Sequence, residues 1–359
     1  MQTYQKYFNN SSEDLSFIVD KSVNLVVTSP PYPMIDMWDE SFAAQGIAQN
    51  DYNLAFDKMH ELLNSVWAEC DRVLTDNGFI CINIGDAVKN CNGVFKLFPN
   101  HSKIIEFFTS LNYCMLPTII WNKPANSPNK FMGSGMLPAG AYVTLEHEYI
   151  LIFRKGAKRD FKSEKAKKNR QESAYFWEER NIWFSNIWDI KGSSQKVSNI
   201  DRKRSGAYPF ELPYRLINMY SVKGDVVLDP FLGTGTTLLA SAVSQRNGIG
   251  VELSESFYQL AMKNLENSKC FLNSVVGERL QKHNDFISSL SQEKKDKCYK
   301  NDFLDVLVKT NQEKYLQLSA IDKIFKKNDE YILTYTKELD NYVKRMGVEQ
   351  CCQQISIKF

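Results

Sequence analysis

No Cys-x-x-Cys pair occurs in this 359-residue chain, whose eight cysteines stand at 70, 81, 91, 114, 270, 298, 351 and 352. Histidine is scarce, with four in all (60, 101, 147 and 283), so no zinc-ligand spacing assembles and no metal is expected. Apolar runs of membrane-spanning length are missing, and the polar start MQTYQKYFNNSSED has no apolar leader core. A reduced, cytoplasmic, soluble protein with no membrane partner is the expectation. Repeats and low-complexity tracts are absent, which excludes solenoids and fibres. Proline is lacking over the last 129 residues, since all eleven fall at or before Pro230. Neither charge sign dominates: 44 basic residues against 42 acidic give +2. That balance hides an asymmetry, because 154–204 holds 15 Lys and Arg against 7 Asp and Glu. A segment at +8 suits a polyanion, although most such runs are simply a solvated face.

What is present is an alternation of strands and helices. Val23–Thr28 is a short apolar run of strand type, and Gly78–Ile84, Met115–Trp121 and Leu145–Phe153 are further strand candidates. Between the first two, Met59, Leu62, Leu63, Val66, Trp67, Cys70 and Val73 recur at helical spacing. The rhythm breaks over 157–206 and resumes at 210–266. This order predicts a doubly wound, mostly parallel α/β sheet. The divisions read as 1–156, an insert 157–206, a second half 207–266, and a mostly helical extension 267–359.

Two motifs carry chemistry. Asp225-Val-Val-Leu-Asp229 leads into Pro230-Phe231-Leu232-Gly233-Thr234-Gly235-Thr236-Thr237, a strand, a Gly-x-Gly turn and a helix. Such a turn brings backbone close to an adenosine-type cofactor, and Glu252, ending the next strand, suits the ribose hydroxyls. A dinucleotide is disfavoured, because position 238 is Leu where a third glycine belongs. Asp229 would repel a phosphate but suits an ammonium group, so S-adenosylmethionine fits better. The second motif is Ser29-Pro30-Pro31-Tyr32, where two prolines end the Val23–Thr28 strand in a rigid turn. It offers the Ser29 hydroxyl and the Pro30 carbonyl as acceptors for an exocyclic amine, and the Tyr32 ring for stacking. His147-Glu148 does not complete His-Glu-x-x-His, since position 151 is Leu, and reads as a pair of strand residues.

The Thr28-Ser-Pro-Pro-Tyr32 turn preceding the Asp229-Pro-Phe loop by some two hundred residues resembles the circularly permuted β group of DNA amino-methyltransferases. Arg72-Val73-Leu74, Ile120–Pro124, His147–Leu151, Ile187–Ile190 and Ala207–Pro213 add to the likeness, which spans about residues 8–266. The resemblance implies a Rossmann-like methyltransferase sheet with an inserted target-recognition region. It implies Ser29, Pro30, Pro31 and Tyr32 as the catalytic turn, with base flipping. It implies S-adenosylmethionine as cofactor, held by Asn10, Thr28, Tyr208, Phe210, Asp229, Phe231, Gly233, Thr234, Gly235, Thr236 and Glu252. Asn9-Asn10 stands where the family commonly has Gly-Asp, so Asn10 supplies a weaker, neutral acceptor. Serine before the prolines resembles the cytosine-N4 members. Adenine-N6 methylation, and a non-catalytic DNA-binding protein on the same fold, are the alternatives. The implied partners are double-stranded DNA and, functionally, a cognate restriction endonuclease, with the protein a monomer or homodimer at a bacterial or archaeal nucleoid. Phosphate contacts are expected from Lys158, Arg159, Lys162, Lys165, Lys167, Lys168 and Arg170.

Overall fold

A computed structural model describes residues 1–35, 39, 42–44, 46–47, 51–123, 132–133, 138–143, 145–191, 208–328, 330–337 and 339. Its centre is a sheet whose main strands are β1 (Gln2–Asn9), β2 (Val23–Thr28), β3 (Leu74–Ile84), β4 (Ile119–Asn122), β5 (His147–Arg154), β6 (Ile187–Asp189), β7 (Val226–Asp229), β8 (Asn247–Glu252), β9 (Ala320–Lys327) and β10 (Glu330–Thr336). They lie in the order β6-β4-β5-β3-β2-β7-β8-β1-β10-β9. The central five, β3-β2-β7-β8-β1, are all parallel, so their carboxyl ends share one edge. β5 runs antiparallel between β3 and β4.

Burial explains the layering. Val26 packs on one face of β2, whereas Leu25 and Val27 pack on the other. Helix α1 (Tyr52–Val73), which follows β2, covers the first face with α2 (Asn100–Ser110). Its Trp67 is fully buried there, and truncating such a side chain costs about 3–5 kcal/mol. The chain after β7 turns to the opposite face, where α3 (Glu211–Tyr220), α4 (Thr236–Val243) and α5 (Lys269–Ser289) pack. β2 and β7 are neighbours whose connections leave to opposite sides. Their shared carboxyl edge is therefore the switch point at which open α/β sheets form a crevice.

Beyond residue 266 the described residues hold a long helix and then strands. After α5 the chain returns as the antiparallel hairpin β9–β10, and β10 pairs with β1, widening the sheet. Tyr331-Ile-Leu-Thr-Tyr-Thr336 is rich in β-branched and aromatic residues that suit a strand. Among the described residues, no helix is long and apolar enough to cross a membrane.

Candidate active site

The two motifs meet across the β2–β7 junction. Thr28 Oγ1, at the end of β2, donates to Asp229 Oδ1, at the end of β7, over 2.6 Å in a buried setting. One cleft above this junction is lined by Ser29 and Pro31 from the turn, and by Asp229, Phe231, Gly233, Thr234 and Thr236 from the loop. Asn10, Tyr208 and Glu252 complete its polar wall, with Val66, Val251 and Phe257 among its apolar residues.

The cofactor side is built from carboxylates held by neighbouring groups. Glu252 accepts the Gly233 N–H through Oε2 at 2.7 Å and the Ser254 N–H through Oε1 at 2.9 Å. Burial raises its pKa, and those backbone N–H bonds oppose the rise. Asp229 is 2% exposed. Besides Thr28 it accepts the Phe231 N–H at 3.0 Å and the Thr237 hydroxyl at 2.5 Å. Burial raises its pKa too, against the pull of those donors. Each carboxylate oxygen has several acceptor sites, so Glu252 keeps capacity for further donors in the cleft. The two loop glycines differ in role. Gly233 has φ 54°, and an added Cβ would meet nothing nearer than Phe231 O at 4.0 Å. Gly235 has φ 89°, and its Cβ would press on Ala261 Cβ at 3.0 Å. Close packing against the helix Glu255–Glu266, rather than ligand approach, therefore demands glycine at 235.

The turn side is a hydrogen-bonded cluster at the ends of three strands. Ser29 Oγ lies 3.0 Å from Tyr32 Oη, which donates to Glu148 Oε2 at 2.8 Å. Asn83, near the end of β3, donates from Nδ2 to Tyr32 Oη at 2.7 Å and to Glu148 Oε2 at 2.6 Å. Lys123 pairs with the other oxygen of Glu148 and sits 4.4 Å over the Trp121 ring. Burial first, and then the Glu148 carboxylate, push the Tyr32 phenol well above its usual range, so it stays a donor.

Several predicted residues do not line the cleft. Thr28 is a strut to Asp229, and Pro30 is buried. Phe210 stacks on Tyr214 within the core, and Tyr32 faces Glu148 and Asn83. Asn83 and Glu148 were missed by sequence reasoning, as was Ser12, whose hydroxyl donates to the Pro230 carbonyl at 2.5 Å. Their signal is faint: one polar residue in an apolar strand, and an acid beside a histidine. The basic residues expected on DNA are brought elsewhere. Arg154 ends antiparallel β5 opposite Phe79, which lies midway along β3 beside Leu25 in the first half of β2, so the chain after it leaves toward the amino edge, away from the cleft. There Arg159 makes a two-point pair with Asp225, just ahead of β7, at 2.5 and 2.9 Å. Lys162 pairs with Asp160, Lys167 with Glu164 and Lys168 with Glu172. Lys158, Lys165 and Arg170 are exposed, and Lys158 and Arg170 line one groove with Arg159. Lys196, Arg202, Lys203 and Arg204 lie outside the described residues. Among those described, no group of three His, Cys, Asp or Glu could hold a metal ion.

Residues 23–263 match a family model described as DNA methylase. The chain is 51% identical over 306 residues to the Type II methyltransferase M.MthZI of Methanothermobacter thermautotrophicus, covering 83% of this chain and 85% of that protein. It is 50% identical over 275 residues to the Type II methyltransferase M.MjaI of Methanocaldococcus jannaschii, covering 71% and 88%. Among solved structures, TTHA0409 of Thermus thermophilus, described as a putative DNA modification methylase and complexed with S-adenosyl-L-methionine, superposes with a TM-score of 0.57. The two are 32% identical, over 73% of this chain and 94% of that one. PvuII cytosine-N4-specific DNA methyltransferase, at 17% identity and a TM-score of 0.54, shares the fold. With the family model spanning most of the chain and relatives at half identity over most of their length, the protein belongs to the DNA methylases, the family of N4 and N6 amino-methyltransferases.

Proposed function

We propose that the protein transfers a methyl group from S-adenosylmethionine to the N4 amine of a cytosine extruded from duplex DNA. The observation that carries this reading is Ser29, whose hydroxyl reaches the cleft shared with Asp229 and Glu252 while bonded to Tyr32 behind it. The cofactor supplies a methyl on a sulfonium. The residues present fit that molecule: Glu252 retains acceptor sites for ribose hydroxyls, Phe231 offers an apolar surface to a base, and open space over Gly233 admits close approach. An exocyclic amine is a weak nucleophile because its lone pair is delocalised into the ring. Ser29 Oγ, accepting one of its N–H groups, favours the pyramidal nitrogen and holds it more tightly as positive charge develops. Serine ahead of the prolines supports cytosine over adenine. The Type II methyltransferases among the relatives support a modification role paired with a restriction endonuclease. Duplex DNA treated with protein and labelled cofactor, then digested to nucleosides, should carry the label in N4-methylcytosine. Label in N6-methyladenine would overturn the cytosine assignment, and unlabelled DNA would overturn the reading altogether.

A further inference from the structure

Ser29 has a polar chain behind it that the reading above leaves unused. A carboxylate only accepts, so the Tyr32 hydroxyl must give its hydrogen to Glu148 Oε2. The Tyr32 oxygen is then an acceptor, 3.0 Å from Ser29 Oγ. With the Ser29 hydrogen turned toward Tyr32 and Asn83 Nδ2 donating to Ser29 Oγ over a long 3.4 Å, a lone pair is left for the cleft. Asn83 Nδ2 ties Tyr32 to Glu148 from the side, and Lys123 holds the far oxygen of Glu148. Gly85 makes room for this arrangement: a Cβ there would stand 3.1 Å from Tyr32 Cε2 and 3.3 Å from Glu148 Cγ. Glu148 is 8% exposed, and its partners are Tyr32, Asn83 and Lys123.

We propose that Glu148 is a positioning residue for methyl transfer, acting on Ser29 through the Tyr32 hydroxyl and taking up the proton that the target amine releases. The inference rests on the amine-methylation reading but not on which base carries the amine. The cofactor gives up its methyl as the C–S bond breaks, its sulfonium becoming a neutral thioether while the C–N bond forms at the amine. That nitrogen must then shed one proton. It passes to Ser29 Oγ as the serine proton moves to Tyr32 Oη and the tyrosine proton moves to Glu148 Oε2. The end state has both hydroxyls restored and Glu148 neutral.

The test compares single-turnover methylation rates of wild type, Glu148→Gln, Tyr32→Phe and the double variant, with cofactor and DNA affinities measured alongside. The first substitution keeps the side-chain shape and the second keeps the ring. Each single variant should slow transfer about a hundredfold or more, the scale of general acid–base catalysis. The double variant should be no slower than either, because residues acting as one unit are not additive. Cofactor and DNA affinities should stay near wild type. An ultraviolet titration, which needs no turnover, should find the Tyr32 phenol ionising at lower pH in Glu148→Gln than in wild type. Wild-type speed in either variant, multiplying losses in the double, or a loss confined to cofactor affinity would overturn the proposal. Wild-type enzyme that makes N6-methyladenine would overturn the cytosine assignment and leave the relay standing.

Discussion

Replacing each glycine of the cofactor loop by alanine should separate stability from binding. Both positions are left-handed, with φ 54° at Gly233 and 89° at Gly235, which costs an L-residue about 1–2 kcal/mol. At Gly235 the new methyl also meets Ala261 Cβ at 3.0 Å and Ala261 Cα at 3.3 Å. Overpacking of that kind adds about 1–3 kcal/mol. The fold should therefore lose about 2–5 kcal/mol in Gly235→Ala, and only about 1–2 in Gly233→Ala. Cofactor affinity should rank the other way, since the Gly233 methyl enters the cleft and the Gly235 methyl points at a helix. Urea unfolding reads the first quantity and titration calorimetry with S-adenosylmethionine the second. A Gly235→Ala variant as stable as Gly233→Ala, or one that loses more cofactor affinity, would refute the assignment of packing to one glycine and approach to the other.

Two further outcomes follow from charges away from the cleft. His60 is 3% exposed and donates Nε2–H to Asn100 Oδ1 at 3.0 Å, while Asn100 Nδ2 donates to the carbonyls of Pro33 and Gly85. Burial lowers its pKa from 6.5 to about 4, against the Asn100 hydrogen bond. The unfolded chain thus takes the proton first as pH falls, and stability is lost between about pH 6.5 and about 4, to a total of about 3 kcal/mol. Because the raised carboxyls of Asp229 and Glu252 act in the opposite sense, the readout is the difference in melting between wild type and His60→Gln across that window, which should shrink in acid. Arg159→Ala should cost about 1–3 kcal/mol of stability, since it leaves Asp225 buried without its two-point partner. DNA affinity, measured by fluorescence anisotropy, should not change, because Arg159 is at the amino edge. A fall in affinity at intact stability would return it to the DNA interface.

What the sequence made legible was local and contiguous. The Ser29–Tyr32 turn, the Asp229–Thr237 loop and Glu252 each announce themselves within a few residues, and the rules of parallel sheets bring them to one edge. What stayed hidden depends on partners far along the chain. Arg159 looks like a free cation until Asp225, 66 positions away, is placed beside it. Glu148 looks like a strand residue until antiparallel β5 sets it against Tyr32, 116 positions away. The hairpin after residue 266 is hidden for a related reason: β10 finds its partner in β1, at the opposite end of the chain. A polar residue within a strand, such as Asn83 in Ile80–Ile84, is one of the few hints of this cluster that a sequence displays. Such a residue at a strand end marks a group to be satisfied by the site.

The most decisive single measurement is the methyl-transfer rate of Ser29→Ala at saturating cofactor and DNA. Loss of the hydroxyl proposed to hold the amine should slow transfer at least about a hundredfold while S-adenosylmethionine binds as tightly as to wild type. A variant that methylates DNA at the wild-type rate would contradict the role given to the turn.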